Sequence, residues 1–239
     1  MALAHDFALN RQPAVSLRAI GAEREPLLQI DGLLAQPDAL VAYAATEGRF
    51  EPAYGPAGGY PGLRSAAPLD YVETVVRAVD PLVREGFRLE RVRLGKAECN
   101  LSLVTLPAEA LVAAQREPHV DTSDPLQFAF LHYLCAETFG GTAFYRHRAT
   151  GFETLTPERM AAFDAARAGE RREEAETGYI HSDTAAFAQI AAVAAGFNRL
   201  VVYRSRLLHS GRIAPNAPLS ADPRRGRLTA NIFLTYRPA

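Results

Sequence analysis

The sequence predicts an α+β fold built on a mostly antiparallel sheet, and three observations carry that prediction. Helical periodicity sits early in the chain and in one later segment. Strand-like runs follow one another with only turns or loops between several of them. No Gly-rich phosphate loop joins a strand to a helix. The first two favour sequential strands, in one sheet or in two that face each other. The third excludes a doubly wound nucleotide fold.

Each element has its own signal. Residues 27–50, "LLQIDGLLAQPDALVAYAATEGRF", read as a strand, a turn at Asp31-Gly32 and a helix, with Pro37 suited to the first turn and Asp38 to the positive end of the dipole. The next stretch, "EPAYGPAGGYPGLR" at 51–64, is so crowded with Gly and Pro that it predicts a loop. Helical spacing over 69–86 stops at Gly86, and two strands follow at 87–94 and 97–106. "LQFAFLHYL" at 126–134 and "TAFYRH" at 142–147 are further strands, separated by Gly140-Gly141. Residues 148–199 read as a helical insertion. Its first helix is charged, runs over 156–177 and is capped by Thr156; its second runs over 182–197, is capped by Ser182 or Asp183 and is closed by Gly196. Strands at 199–209 and 227–237, joined by a Pro-rich loop, complete the chain. No repeat or low-complexity linker divides it, so one domain over 1–239 is expected.

An apolar content of 48% is ample for a sizeable core, and a net charge of −1 gives no global field to recruit nucleic acid or an anionic membrane. No apolar run approaches the roughly 18 residues that would span a bilayer, and the opening "MALAHDFALNRQPAV" does not read as a signal peptide. Cys99 and Cys135, far apart in apolar strands, read as two buried thiols of a reducing compartment. A cytoplasmic protein is expected.

Two His-x-Asp tripeptides stand out. In His181-Ser-Asp183 the aspartate or Ser182 has an easy role as a helix cap, and His181 merely precedes it. His119-Val-Asp121 has no such reading: in extended chain its imidazole and carboxylate share a face. Metal ligation and ordinary polarity at a turn are equally open from the tripeptide alone. His209, at the end of the apolar run "LVVYRSRLLH", tips the balance. Two imidazoles and one carboxylate on one side of an ion leave its other positions free, as non-haem Fe(II) oxygenases require, whereas a structural zinc site wants four closed ligands.

At this point several stretches match a family. "PHVD" at 118–121, "FAFLHYL" with "FGGTAFYR", "VVYRSRLLHSG" and "GRLTANIFLTY" together resemble the Fe(II)/2-oxoglutarate-dependent oxygenases, most closely their prolyl-4-hydroxylase-like branch. The resemblance covers roughly residues 27–236. "YPGLR" at 60–64 further resembles an uncharacterised bacterial branch. The resemblance implies a double-stranded β-helix (jelly-roll, cupin-like) core with N-terminal helices packed on one sheet. It implies His119, Asp121 and His209 as iron ligands, with Tyr133, Arg227 and Thr229 binding 2-oxoglutarate, and dioxygen as the other co-substrate. It places Tyr60 and Arg64 near the site as candidate substrate contacts. The 148–199 segment, which separates the two halves of the site, reads equally as a lid at the pocket mouth and as a solvated face with no role.

The residues themselves support the arginine. In "RLTANIFLTY", Arg227, Thr229 and Asn231 alternate with Leu228, Ala230 and Ile232, so one face is polar, and a guanidinium fork suits a carboxylate. Arg227 nevertheless lies unusually far beyond His209 for the family, and Arg212, Arg224 or Arg225 in the intervening loop are alternatives. The implied activity is hydroxylation of a C–H bond in a small molecule or peptide. The competing readings are an inactive jelly-roll binding module, or a metal-dependent hydrolase or isomerase on the same fold.

Overall fold

The computed structural model describes residues 5–170 and 178–239. Among them, eleven strands form two sheets, and every pairing within the sheets is antiparallel. In chain order the elements are β1 (Ala14–Ile20), β2 (Glu25–Asp31), α1 (Asp38–Thr46), β3 (Glu51–Gly55), β4 (Gly58–Ala66), α2 (Leu69–Gly86) and β5 (Val92–Val104). After these come β6 (Gln127–Tyr133), β7 (Gly140–His147), α3 (Pro157–Glu170), β8 (Phe187–Ala194), β9 (Arg199–Arg204), β10 (His209–Ile213) and β11 (Arg227–Pro238). The large sheet has the order β1-β2-β9-β6-β11-β5-β4-β3 and the small one β10-β7-β8.

Strand alternation sorts the side chains into three cores. One face of the large sheet, with Phe128, Phe130, Leu200, Val202, Leu228 and Ile232, packs against α1 and against the Val72, Val75, Val76, Val79 and Val83 stripe of α2. The opposite face, with Ala129, Leu131, Val201 and Tyr203, packs against Phe144 and Val193 of the small sheet. The outer face of the small sheet, with Ala143, Tyr145 and Phe187, is covered by Phe163 of α3. The layers therefore run α1/α2, large sheet, small sheet, α3, and the space between the sheets is the place for a site.

Two glycines show how tightly β7 is held between its neighbours. Gly140 has φ +100°, and a Cβ there would collide with the carbonyl of Arg212; a Cβ on Gly141 would collide with that of Val193. The Gly140-Gly141 pair is thus required by backbone crowding at the start of the central strand.

Several expectations are corrected. Residues 51–64 are not a loop but most of the β3–β4 hairpin, because Gly55 and Gly58 pair across the Pro56-Ala57 turn and Gly62 lets β4 lie close to Leu103. The strands expected at 87–94 and 97–106 are replaced by one long β5. The expected second helix of the insertion is a strand: "FAQIAAVA" forms β8, since pairing with β7 and burial of Phe187 and Val193 outweigh alanine's helix propensity. No helix exists there for Ser182 or Asp183 to cap; Asp183 instead accepts from the Gln189 amide and pairs with Arg148. Only α3 of the helical insertion is a helix among the described residues, and the part expected over 171–177 lies outside them. The run 199–209 is split, so that β9 belongs to the large sheet and β10 to the small one. β1 carries no signal strong enough to predict, being exposed along all but its last residue. Both cysteines are free.

Candidate metal centre

The split at residues 205–208 builds the site. His209 opens β10 at the edge of the small sheet, and His119 pairs with it directly: each backbone amide donates to the other's carbonyl at 2.9 Å. The Asp121 amide then bonds to the carbonyl of Ser205, also at 2.9 Å. A short extended segment is therefore laid along the turn between the sheets, and it carries both of its polar side chains to His209.

The imidazoles are oriented by their own backbones. His209 Nδ1 donates to the Leu207 carbonyl at 2.8 Å, and His119 Nδ1 makes a longer contact of 3.4 Å to the Glu117 carbonyl. Carbonyls only accept, so each Nδ1 carries the proton and each Nε2 keeps its lone pair. His209 Nε2 lies 3.7 Å from Asp121 Oδ2. One donor atom from each of His119, Asp121 and His209 lies within 4.8 Å of the others, so side-chain movements of about an ångström would bring them to the roughly 3 Å that separates neighbouring donors on one ion with bonds of about 2.1 Å. No fourth His, Cys, Asp or Glu joins the cluster among the described residues.

The surroundings tune and brace this group. His119 keeps accessible surface, yet the protein atoms crowding it lower its imidazole below the usual value, as does the neighbouring His209; Asp121 opposes them, and Arg64 adds a smaller lowering. The neutral, ligating form is thereby favoured. Tyr203, buried and set edge-on to His209 with centroids 4.9 Å apart, walls the ring in. On the far side, Arg167 of α3, fully buried, pairs with Glu117 at 3.2 Å, so α3 braces the backbone two residues before His119.

All three residues open into a cavity of about 310 Å³ between the sheets, which Tyr60, Arg64, Tyr179, Arg227, Thr229 and Asn231 also line. Its floor follows from strand register. Arg64 of β4 faces Ser102 of β5, which faces Thr229 of β11, which faces Tyr133 of β6; Arg227 faces Val104. Arg227 is only 3% exposed, and its Nη2 is anchored on the Gly141 carbonyl at 2.8 Å. Arg227 Nε and Asn231 Oδ1 are buried without a hydrogen-bond partner, and Thr229 Oγ1 and Tyr60 Oη have at most each other. Buried polar groups in this state are costly, and their gathering in one cavity marks a place for a polar ligand. Burial raises the Tyr60 hydroxyl, and the cations of Arg227 and Arg64 partly offset that rise.

The structure thus brings His119, Asp121, His209, Arg227, Thr229, Tyr60 and Arg64 together. Tyr133 packs its ring against Arg227, 5.6 Å from the guanidinium carbon, but its hydroxyl bonds to Thr142 at 2.6 Å, and Thr142 rather than Tyr133 lines the cavity. The alternative arginines stand apart, for Arg212, Arg224 and Arg225 are exposed, and Arg212 bonds to the His181 carbonyl. His132 lies on the opposite face of β6, where Tyr71 and Asn198 enclose it. Tyr179 and Tyr203 were not foreseen. Tyr203 alternates with Val202 in β9 and could have been found from that strand's inner face; Tyr179 gives no periodic signal.

Among solved structures the chain is similar to the non-haem α-ketoglutarate-dependent epimerase SnoN from nogalamycin biosynthesis, at 14% identity and a TM-score of 0.48 over 89% of this chain and 79% of that one. It is also similar to HygX from Streptomyces hygroscopicus with nickel, 2-oxoglutarate and hygromycin B bound, at 12% identity and 0.45 over 91% and 84%. An N-substituted L-amino acid dioxygenase from Burkholderia ambifaria AMMD matches at 14% identity and 0.45 over 96% of both chains. No curated protein sequence matches. Residues 11–234 match the model of a family described as a family of unknown function (DUF6445), and the chain belongs to that family.

Proposed function

We propose that the protein is a mononuclear non-haem Fe(II), 2-oxoglutarate-dependent oxygenase whose two sheets form a double-stranded β-helix, and that it hydroxylates a C–H bond of a small molecule or peptide. One observation carries the reading: two imidazoles and a carboxylate converge at the mouth of the same cavity that holds a buried arginine with an unpartnered Nε. A hydrolytic metal site has no need of that arginine, and a binding module has no need of the three convergent donors.

The donor set fits the ion. His119, Asp121 and His209 would hold Fe(II), and the carbonyls of Glu117 and Leu207 keep both Nε2 atoms aimed at it. The second group fits as well. Arg227 would take the distal carboxylate of 2-oxoglutarate, with Thr229 Oγ1 and Tyr60 Oη adding hydrogen bonds. Tyr60 takes this role in place of Tyr133. With its co-substrates bound, the iron would supply the oxidising chemistry. The chain's own share is to fix geometry, neutralise the dianion and exclude water, for which Tyr203, Leu131 and Phe233 give the cavity apolar walls. Residue Tyr179, whose hydroxyl donates to the Leu106 carbonyl, brings the 148–199 segment to the wall of the cavity.

The test is anaerobic addition of Fe(II) and 2-oxoglutarate, watched for the weak visible charge-transfer band of the chelate. A band in the wild type that disappears in His119→Ala supports the reading. No band in the wild type, or one that survives in His119→Ala, overturns it.

A further inference from the structure

We infer that the cavity contains a second anion subsite, centred on Arg64, and that the substrate of the proposed oxygenase is an organic monocarboxylate. This rests on the reading above and adds the substrate's chemical class to it.

The first argument is the state of Arg64. It projects from β4 into the cavity with its guanidinium over the Tyr60 ring, 4.6 Å from the centroid. The stacking fixes the plane of the fork and leaves its N–H edge free. Its Nε is buried and has no hydrogen-bond partner, and no carboxylate pairs with it among the described residues. Arginines outside the cavity are treated differently: the buried Arg167 pairs with Glu117 and Glu170, and the half-buried Arg204 with Glu25. A cation facing a partly enclosed cavity without a counter-charge is a site for an anion.

The second argument is position. Arg64 faces Ser102 and, beyond it, Thr229, whereas Arg227 faces Val104 and Gly62. The two arginines therefore stand two strands and two residues apart, roughly 12 Å between their Cα atoms from sheet geometry. Tyr60 feels the charge of both, with its ring face under Arg64 and its hydroxyl near Thr229. The buried Ser102 Oγ below Arg64 also lacks a partner.

The third argument is charge balance. The charged side chains lining the cavity are Arg64, Arg227 and Asp121, which leave one net positive charge when both imidazoles are neutral. A divalent ion and the 2-oxoglutarate dianion cancel each other, so the single positive charge remains. One carboxylate on the substrate neutralises it; a doubly charged phosphate would overshoot. Tyr60, Tyr179 and Tyr203 around the cavity suit the organic part of such a molecule.

The test uses the full-length protein loaded with Ni(II) and 2-oxoglutarate and a matched pair of probes, benzoate and benzamide, titrated by calorimetry. Benzoate is expected to bind at least tenfold more tightly than benzamide. Arg64→Gln should abolish that preference and leave 2-oxoglutarate affinity within threefold of wild type, and Arg64→Lys should retain part of it. Equal binding of the two probes, an undiminished preference in Arg64→Gln, or inorganic phosphate competing as well as benzoate would each overturn the proposal. So would a large loss of 2-oxoglutarate affinity in Arg64→Gln with none in Arg227→Gln, because Arg64 would then be the co-substrate's own partner. If the Fe(II) chelate band fails to form, the oxygenase reading falls by itself. The subsite is then judged by benzoate titration of metal-free protein: Arg64-dependent binding supports it, and its absence overturns it.

Discussion

Replacing Arg227 by Gln tests the anion pocket most directly. Arg227 is 3% exposed, is anchored through Nη2 on Gly141 and has an unpartnered Nε, so its fork is already held and desolvated. Hydrogen bonds to charged groups contribute about 1.5–3 kcal/mol each, and the fork offers a carboxylate two of them. Gln keeps at most one neutral bond, worth about 1 kcal/mol, so the net loss is roughly 2–5 kcal/mol, or about 30-fold to several thousand-fold in co-substrate affinity. Gln ends about where Arg227 Nε lies and gives up the Nη2 bond to the Gly141 carbonyl, so folding needs its own control. The assay is titration of 2-oxoglutarate into anaerobic Fe(II) protein, read from the chelate band, with thermal unfolding as the control for folding. A 2-oxoglutarate affinity within threefold of wild type, in a variant of unchanged melting temperature, would refute the assignment.

Other expectations follow from the same structure. His132 is buried and pushed down to about 4 by desolvation, against an ordinary 6.5. A group depressed on folding favours the native state above pH 6.5 and loses that contribution as pH falls towards 4, so about 3 kcal/mol should disappear across that window; His132→Gln should flatten that part of the stability–pH curve measured by urea unfolding. Ni(II) at a hundred times its dissociation constant should stabilise the wild type by about 2.7 kcal/mol against unfolding, an effect that a chelator reverses and that Asp121→Ala removes, as a thermal melt would show. Arg167→Met leaves Glu117 and Glu170 without the buried guanidinium, at a cost of roughly 3–5 kcal/mol by urea unfolding. Because Glu117 sits two residues before His119, the same variant should also weaken Ni(II) binding; affinity equal to wild type in the folded variant would show that α3 does not brace the ligand segment. Tyr203→Leu removes the edge-on partner of His209 and should lower Ni(II) affinity less than Asp121→Ala does, by isothermal titration.

Much of the architecture was legible because its signals are local. The α2 stripe of valines repeats with the helical period, and "LQFAFLHYL" and "RLTANIFLTY" alternate or run apolar as strands do. The His-x-Asp tripeptide and the polar face of β11 were visible for the same reason. The β3–β4 hairpin and β8 were not. In the hairpin, glycines that look like loop punctuation allow two backbones to approach; in β8, alanines that favour helix are held extended by pairing with β7. Both outcomes depend on a neighbouring strand distant in sequence, which no local window contains.

The sequence by itself determined the kinds of donor available, the strands that carry them and the single buried-type arginine in the last strand. Only the tertiary structure decided that the 199–209 run breaks so that His209 joins the other sheet, that Tyr60 rather than Tyr133 turns its hydroxyl into the cavity, and that Arg64 stands unpaired within it. The physical reason is that composition and periodicity fix which face a side chain takes, whereas the partner it meets is set by strand pairings that join residues tens of positions apart, such as Thr229 with Ser102 and His209 with His119.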